Sequence, residues 1–175
     1  MVVVVIMSIL AIVGVSAFGK YLDKSRSVEG LSMLRSIAGA QERYRGENLR
    51  FLDASGCNGG AVKDISEAGY PTKTPNKTTY QWDTKGTDAV AVAFRRLGPT
   101  VSGPVQFGYV TCAYDAGAVI PATGLANASN AWAPAVRPEP FYVVKAAGDV
   151  DADGVQNVLF LSSFSNRIYQ ENEGE

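Results

Sequence analysis

The chain has 175 residues, 46% hydrophobic and 19% charged, and its 16 Lys and Arg against 17 Asp and Glu give a net charge of −1. That is enough apolar material for a packed core, and with no basic run there is no electrostatic footprint for nucleic acid. The absence of histidine removes the commonest general base and metal ligand, two cysteines cannot build a Cys/His zinc site, and no phosphate-binding glycine loop or nucleophile elbow is present, so no enzyme is expected.

Residues 1–18, MVVVVIMSILAIVGVSAF, carry no charged side chain, and the first charge is Lys20. As a helix they span about 27 Å, close to the thickness of a bilayer core. Three readings stay open. One is a cleaved signal peptide with Val15-Ser16-Ala17 at the cleavage site, although no basic region precedes it. The second is an ordinary membrane anchor. The third is a helix that leaves the membrane and packs among copies of itself, with Val2, Val3, Val4, Val5, Ile6, Ile9, Leu10, Ile12 and Val13 in a filament core. Lys20, Lys24 and Arg26 follow the run and nothing basic precedes it. The positive-inside rule alone puts the downstream side in the cytoplasm; a basic leader upstream of Met1 reverses that assignment.

Residues 20–48 continue the helix with an apolar stripe, in which Val28, Leu31, Leu34, Ile37 or Ala38, Gln41 and Tyr44 recur at three- and four-residue steps. Arg26, Glu29, Arg35, Glu42, Arg43 and Glu47 fall mostly elsewhere. One helix of about 70 Å is predicted from Met1 to about Asn48. Its first part, residues 1–19, is apolar all round and needs burial in lipid or among helices; its second, residues 20–50, docks one face on the chain's own domain. Gly14, Ser16 and Gly19 near the junction mark either a point of bending and local melting or close helix contact.

Residues 51–175 read as a globular β-domain with loops. Phe51 to Pro75 is a Gly, Pro, Ser, Thr and Asn-rich connection holding Cys57. Strands are predicted at Thr78–Thr84, Ala89–Leu97, Gln106–Tyr114, Phe141–Ala147 and Val155–Ser162. Ala116 to Pro140 reads as a long surface loop, and the acidic tail from Gln170 as frayed or facing a neighbour. The fold class is α+β, a long N-terminal helix packed on a C-terminal antiparallel sheet. Cys57 and Cys112 form either one long-range disulfide of an oxidising compartment or two buried thiols. Asp149, Asp151 and Asp153 followed by Gly154 form a D-x-D-x-D-G turn that suits a calcium ion, with Asn157 assisting. The bidentate glutamate of a calcium loop is replaced by Phe160, and a plain acidic β-turn is the alternative.

The run Met1-Val2-Val3-Val4-Val5-Ile6 with Ile9-Leu10-Ala11-Ile12, the segment Lys24 to Arg35, and Ala40-Gln41-Glu42-Arg43-Tyr44 with Glu47-Asn48 together resemble the N-terminal part of type IV pilins and type II secretion pseudopilins. The resemblance covers about the first 50 residues. It implies a subunit of a helical homopolymer, held in the inner membrane before assembly and then in an extracellular pilus on a bacterial surface. It also implies pilus-assembly machinery as partner, N-terminal methylation, and roles in adhesion and twitching motility. A pseudopilin, a minor pilin and a membrane-anchored, non-polymeric binding domain are the alternatives. The family's leader ending in glycine and the short glutamate-bearing segment after it are missing; with Met1 as the mature N-terminus, Val5 takes the glutamate's place, and Ser16 stands near the place of the family's kinking proline. These departures imply a start that is truncated or assigned to an internal methionine.

Overall fold

The computed structural model describes residues 2–83, 85–122 and 135–172, leaving aside the side chains of residues 4, 5, 9, 12–24 and 166. In chain order the elements are α1 (Val2–Asn48), α2 (Ile65–Ala68), α3 (Ala89–Leu97), β1 (Gly108–Tyr114), β2 (Phe141–Gly148), β3 (Asn157–Ser162) and β4 (Ser165–Glu171). The strands form one antiparallel sheet in the order β1-β2-β3-β4. The fold is therefore α+β, a four-stranded antiparallel sheet with a helix laid across its middle strands.

Both faces of the sheet are covered, which explains why β1 and β2 are buried almost without alternation. On one face Tyr109, Tyr142, Val144, Ala146 and Leu159 meet Met33, Leu34, Ile37, Ala40 and Tyr44 of α1. On the other, Val110, Cys112, Phe141, Val143 and Phe160 meet Ile65 and Ala68 of α2.

The docked face of α1 follows the predicted stripe through Leu34, Ile37, Gln41 and Tyr44 and departs from it at Val28. Val28 points to solvent, 58% exposed, while Ser27 and Gly30 beside it are buried. Close approach is the reason. A Cβ on Gly30 would lie 2.8 Å from Leu159 Cδ1 and 3.1 Å from Phe107 Cε1, so the helix meets the sheet where its side chain is smallest. Ser27 tolerates burial because its hydroxyl accepts from Asn157 Nδ2 at 2.8 Å. A pattern of large apolar residues cannot register a contact made by glycine and a paired serine.

Further along α1, Gln41 is fully buried. Its Nε2 donates to Leu52 O at 2.7 Å and Thr111 Oγ1 at 3.0 Å, and its Oε1 accepts from Leu52 N at 2.9 Å. One amide thus ties the helix, the chain leaving it and β1. Replacement of Gln41 by Leu strands the Leu52 peptide groups in the interior. It is expected to lower unfolding stability by about 2–3 kcal/mol, read by urea denaturation; a loss of under about 0.5 kcal/mol, the range of ordinary surface changes, contradicts this role.

Three predicted elements are corrected. Ala89–Leu97 is helix α3, not a strand. Its alternation of Ala and Val mimics a two-residue period, but Ala91, Phe94 and Leu97 are the buried positions, a three-residue step that only a helix puts on one face. Gly98 ends it at φ +63°, and Arg43 of α1 donates to the carbonyls of Leu97 and Gly98 at 3.0 and 2.6 Å, satisfying the helix end. Residues 78–83 form no strand and contribute one bridge, Tyr80 to Val105; Thr84 lies outside the described residues. The tail is not frayed through Glu171, because β4 pairs with β3 up to Val158–Glu171. The predicted strands at Gln106–Tyr114, Phe141–Ala147 and Val155–Ser162 correspond to β1, β2 and β3 with ends shifted by up to two residues. Residues 123–134 of the predicted surface loop lie outside the described residues.

Candidate functional site

Helix α1 divides by what surrounds it. From Arg26 onward it is tied to the domain. Arg26 Nη1 donates to Val150 O at 3.0 Å, Ser36 Oγ to Thr100 O at 2.7 Å, and Ser27, Gln41 and Arg43 make the bonds already described. At the other end Val2, Val3, Ile6, Met7 and Leu10 are 52–72% exposed. Contiguous exposed apolar side chains mark a surface that binds something. The side chains of Val4, Val5, Ile9, Ile12 and Val13, also predicted in the filament core, lie outside the described residues. The backbone of α1 is helical through Gly14, Ser16 and Gly19 in the single subunit. Among the side chains described, no helix is long and apolar enough to cross a membrane; the uncharged run of residues 1–18 falls largely outside that set.

Cys57 and Cys112 are joined in a disulfide with their Cα atoms 5.5 Å apart. Local sequence sets the loop for it. Both carboxylate oxygens of Asp53 accept backbone N–H groups, from Cys57 at 3.0 Å and Asn58 at 2.7 Å. Ser55 then runs beside β1, its N donating to Thr111 O at 3.1 Å and its Oγ accepting from Thr111 N at 3.0 Å. The loop is therefore pinned to the sheet by hydrogen bonds on one side of the cysteine and by the covalent bridge at it.

The aspartates of the acidic turn converge: Asp149, Asp151 and Asp153 each bring a carboxylate oxygen within 4.8 Å of the others. The turn also has its own support. Asp149 accepts from the N–H groups of Ala152 and Gly154 at 2.7 and 3.1 Å, Asp151 from Asp153 at 3.2 Å, and Asp153 from Val155 at 2.7 Å. These side-chain caps hold the bend, which passes through Ala152 at φ +67° and Gly154 at φ +92°. Asn157 faces the helix instead, buried, giving its amide to Ser27 and accepting from Gln170 at 3.2 Å. Phe160, at the place of a calcium loop's glutamate, is a core residue of β3.

A groove of about 820 Å³ runs along α1 against residues 100–105, lined by Glu29, Ser36 and Arg43 among others. Glu29 Oε1 accepts from Gln106 N at 2.8 Å. Burial raises the Glu29 carboxyl above its ordinary value of 4.5, opposed in part by backbone hydrogen bonds from Gln106 and Phe107. A raised folded-state value means the folded chain holds this proton more tightly than the unfolded chain. Its contribution to stability is therefore complete below pH 4.5 and declines as pH rises through the shifted value. Glu29→Gln keeps an acceptor for Gln106 and removes the charge. The variant is expected to gain stability relative to the parent as pH rises from 4.5 to neutrality; parallel stability curves for the two proteins would sink this assignment.

Comparison with protein-family models, curated proteins and solved structures finds no match for this chain.

Of the residues whose hydrogen bonds set where α1 docks, Gln41 lies in the predicted stripe, Arg43 was placed on the solvated face, and Ser27 was not singled out.

Proposed function

We propose that this chain is the structural subunit of a filament of the type IV pilus kind, polymerising through the first part of α1. The observation that carries the reading is the division of α1, which is bound to its own domain from Arg26 and presents Val2, Val3, Ile6, Met7 and Leu10 to the outside. Apolar side chains left uncovered gain roughly 1.5–3 kcal/mol each when buried, so a helix of this kind is driven into lipid or into the helices of its neighbours. The α+β layout is consistent with the reading: a helix of 47 residues, about 70 Å long, whose second half lies across an antiparallel sheet. Each subunit then holds the inner membrane with α1 before assembly. In the filament these helices form the core and the β-domains the outside. Repeated contacts that do not close give an open polymer. Adhesion and motility follow at the level of the family resemblance, with the assembly machinery and its motors supplied by other proteins. Gly14, Ser16 and Gly19 lie where α1 would bend or loosen as it leaves the membrane.

The test is the location and form of the full chain in cells that make it. Extracellular fibres decorated along their length by an antibody to the β-domain are expected. Membrane-bound or periplasmic protein with no fibres, under conditions where the assembly machinery is present, overturns the pilus reading.

A further inference from the structure

Trp82 is only half-buried although it sits among aromatic rings. The Tyr70 and Phe94 rings stack with centroids 5.2 Å apart, and Trp82 stands nearly perpendicular to both, at 4.8 and 5.7 Å. The backbone is held on either side of it. Two residues before, Tyr80 bridges Val105 through reciprocal hydrogen bonds at 2.7 and 2.8 Å; one residue after, the Asp83 carbonyl accepts from the Tyr70 hydroxyl. An indole carries a large apolar surface that gains by burial. This one opens instead on a cavity of about 400 Å³ whose walls include Phe94, Pro99 and Val101. Gln81 and Arg95, both exposed, line the cavity as well. Arg95 is tethered, its Nη1 donating to Gly86 O at 3.4 Å, and it has contacts besides this one. A guanidinium carries five donors, so a ligand adds to these partners.

These features select a ligand with one apolar face and a polar edge. Wholly apolar ligands are held in enclosing pockets. This cavity is open on one side, so such a ligand would leave much of its surface in water. An anion would meet Arg95 as the one cation among the described residues lining it. A sugar ring matches both halves. Its C–H face stacks on an aromatic ring, and the hydroxyls on its edge accept from planar donors, here a guanidinium and an amide. An indole fixed beforehand spares a small ligand the cost of ordering it. We propose that the cavity between residues 80–83 and the C-terminal end of α3 binds one pyranose ring, stacked on Trp82 and hydrogen-bonded by Gln81 and Arg95. The site lies wholly within the domain and does not depend on assembly through α1.

Titration of the isotope-labelled full chain with methyl glycosides of glucose, galactose, mannose and N-acetylglucosamine tests it, in a detergent without a sugar headgroup. The Trp82 indole N–H resonance, identified by its loss in Trp82→Phe, is the reporter. At least one glycoside is expected to move it with a dissociation constant of about 1 mM, the range of a ligand with so few atoms. Trp82→Ala is expected to weaken binding about tenfold, read by saturation transfer to the glycoside. Gln81→Ala leaves the packed rings untouched, so it separates loss of a ligand contact from loss of the fold; about fivefold weaker binding is expected. The free sugar and a trisaccharide ending in it distinguish a soluble ligand from a glycan terminus: equal affinities assign the ring alone, and a tighter trisaccharide assigns the glycan. No movement of the Trp82 resonance with any of these glycosides at about 50 mM, unchanged affinity in Gln81→Ala, or movement produced by a proline-rich peptide and by no sugar each overturns the proposal.

Discussion

Ile6→Asp is expected to abolish filaments while leaving the domain's thermal midpoint within about 2 °C of the parent. Ile6 is 52% exposed and takes no part in either core cluster, so the fold does not need it. In a packed helical core the same position has no water, and an aspartate near the middle of an apolar layer costs about 2.5–3.5 kcal/mol on the membrane-insertion scale. The cost recurs in every subunit of a polymer. Ile6→Leu keeps the apolar volume and is expected to leave filaments intact. Normal filaments from Ile6→Asp contradict assembly through α1. Loss of the domain's cooperative unfolding in the same variant contradicts the division of α1 into a docked and an undocked part.

Replacing both cysteines, as Cys57→Ala with Cys112→Val, is expected to lower stability by about 4 kcal/mol. The bridge spans 55 residues, and a closed loop of that length removes about that much chain entropy from the unfolded state. The hydrogen bonds of Asp53 and Ser55 remain, but they lose the covalent anchor that holds the loop over β1. Denaturant unfolding of parent and variant, and of the parent with and without reductant, reads the difference. A shift below about 1 kcal/mol means that the loop is held by its hydrogen bonds alone.

The parts of the fold written in large apolar residues were legible in the sequence. Tyr109, Val110, Val143, Val144, Leu159 and Phe160 marked three strands, and the helix was predicted to end where it does, at about Asn48. The pairing of Cys57 with Cys112 was one of two readings, and it is the one found. What was not legible depends on distance in three dimensions. Ala89–Leu97 carries both a two-residue and a three-residue period, and only contact with the core selects Ala91, Phe94 and Leu97. Strand β4 is polar, SNRIYQE, and exists because β3 offers it an edge. Gly30 and Ser27 lie on the docked face through small size and a single hydrogen bond, properties that no hydrophobic pattern records. At the acidic turn the sequence brought Asp149, Asp151 and Asp153 together as predicted by spacing. Asn157 was drawn off to Ser27 by the fold of β3 under α1.

The most direct measurement of assembly through α1 is a density map of the polymer formed by the full chain. Residues 2–19 of every subunit are expected in its interior, their helix axes about 8–10 Å from those of neighbouring subunits, with Ile6 and Leu10 in contact across subunits. A fibre whose subunits meet only through their β-domains, or a native chain from which residues 2–19 have been cleaved, contradicts it.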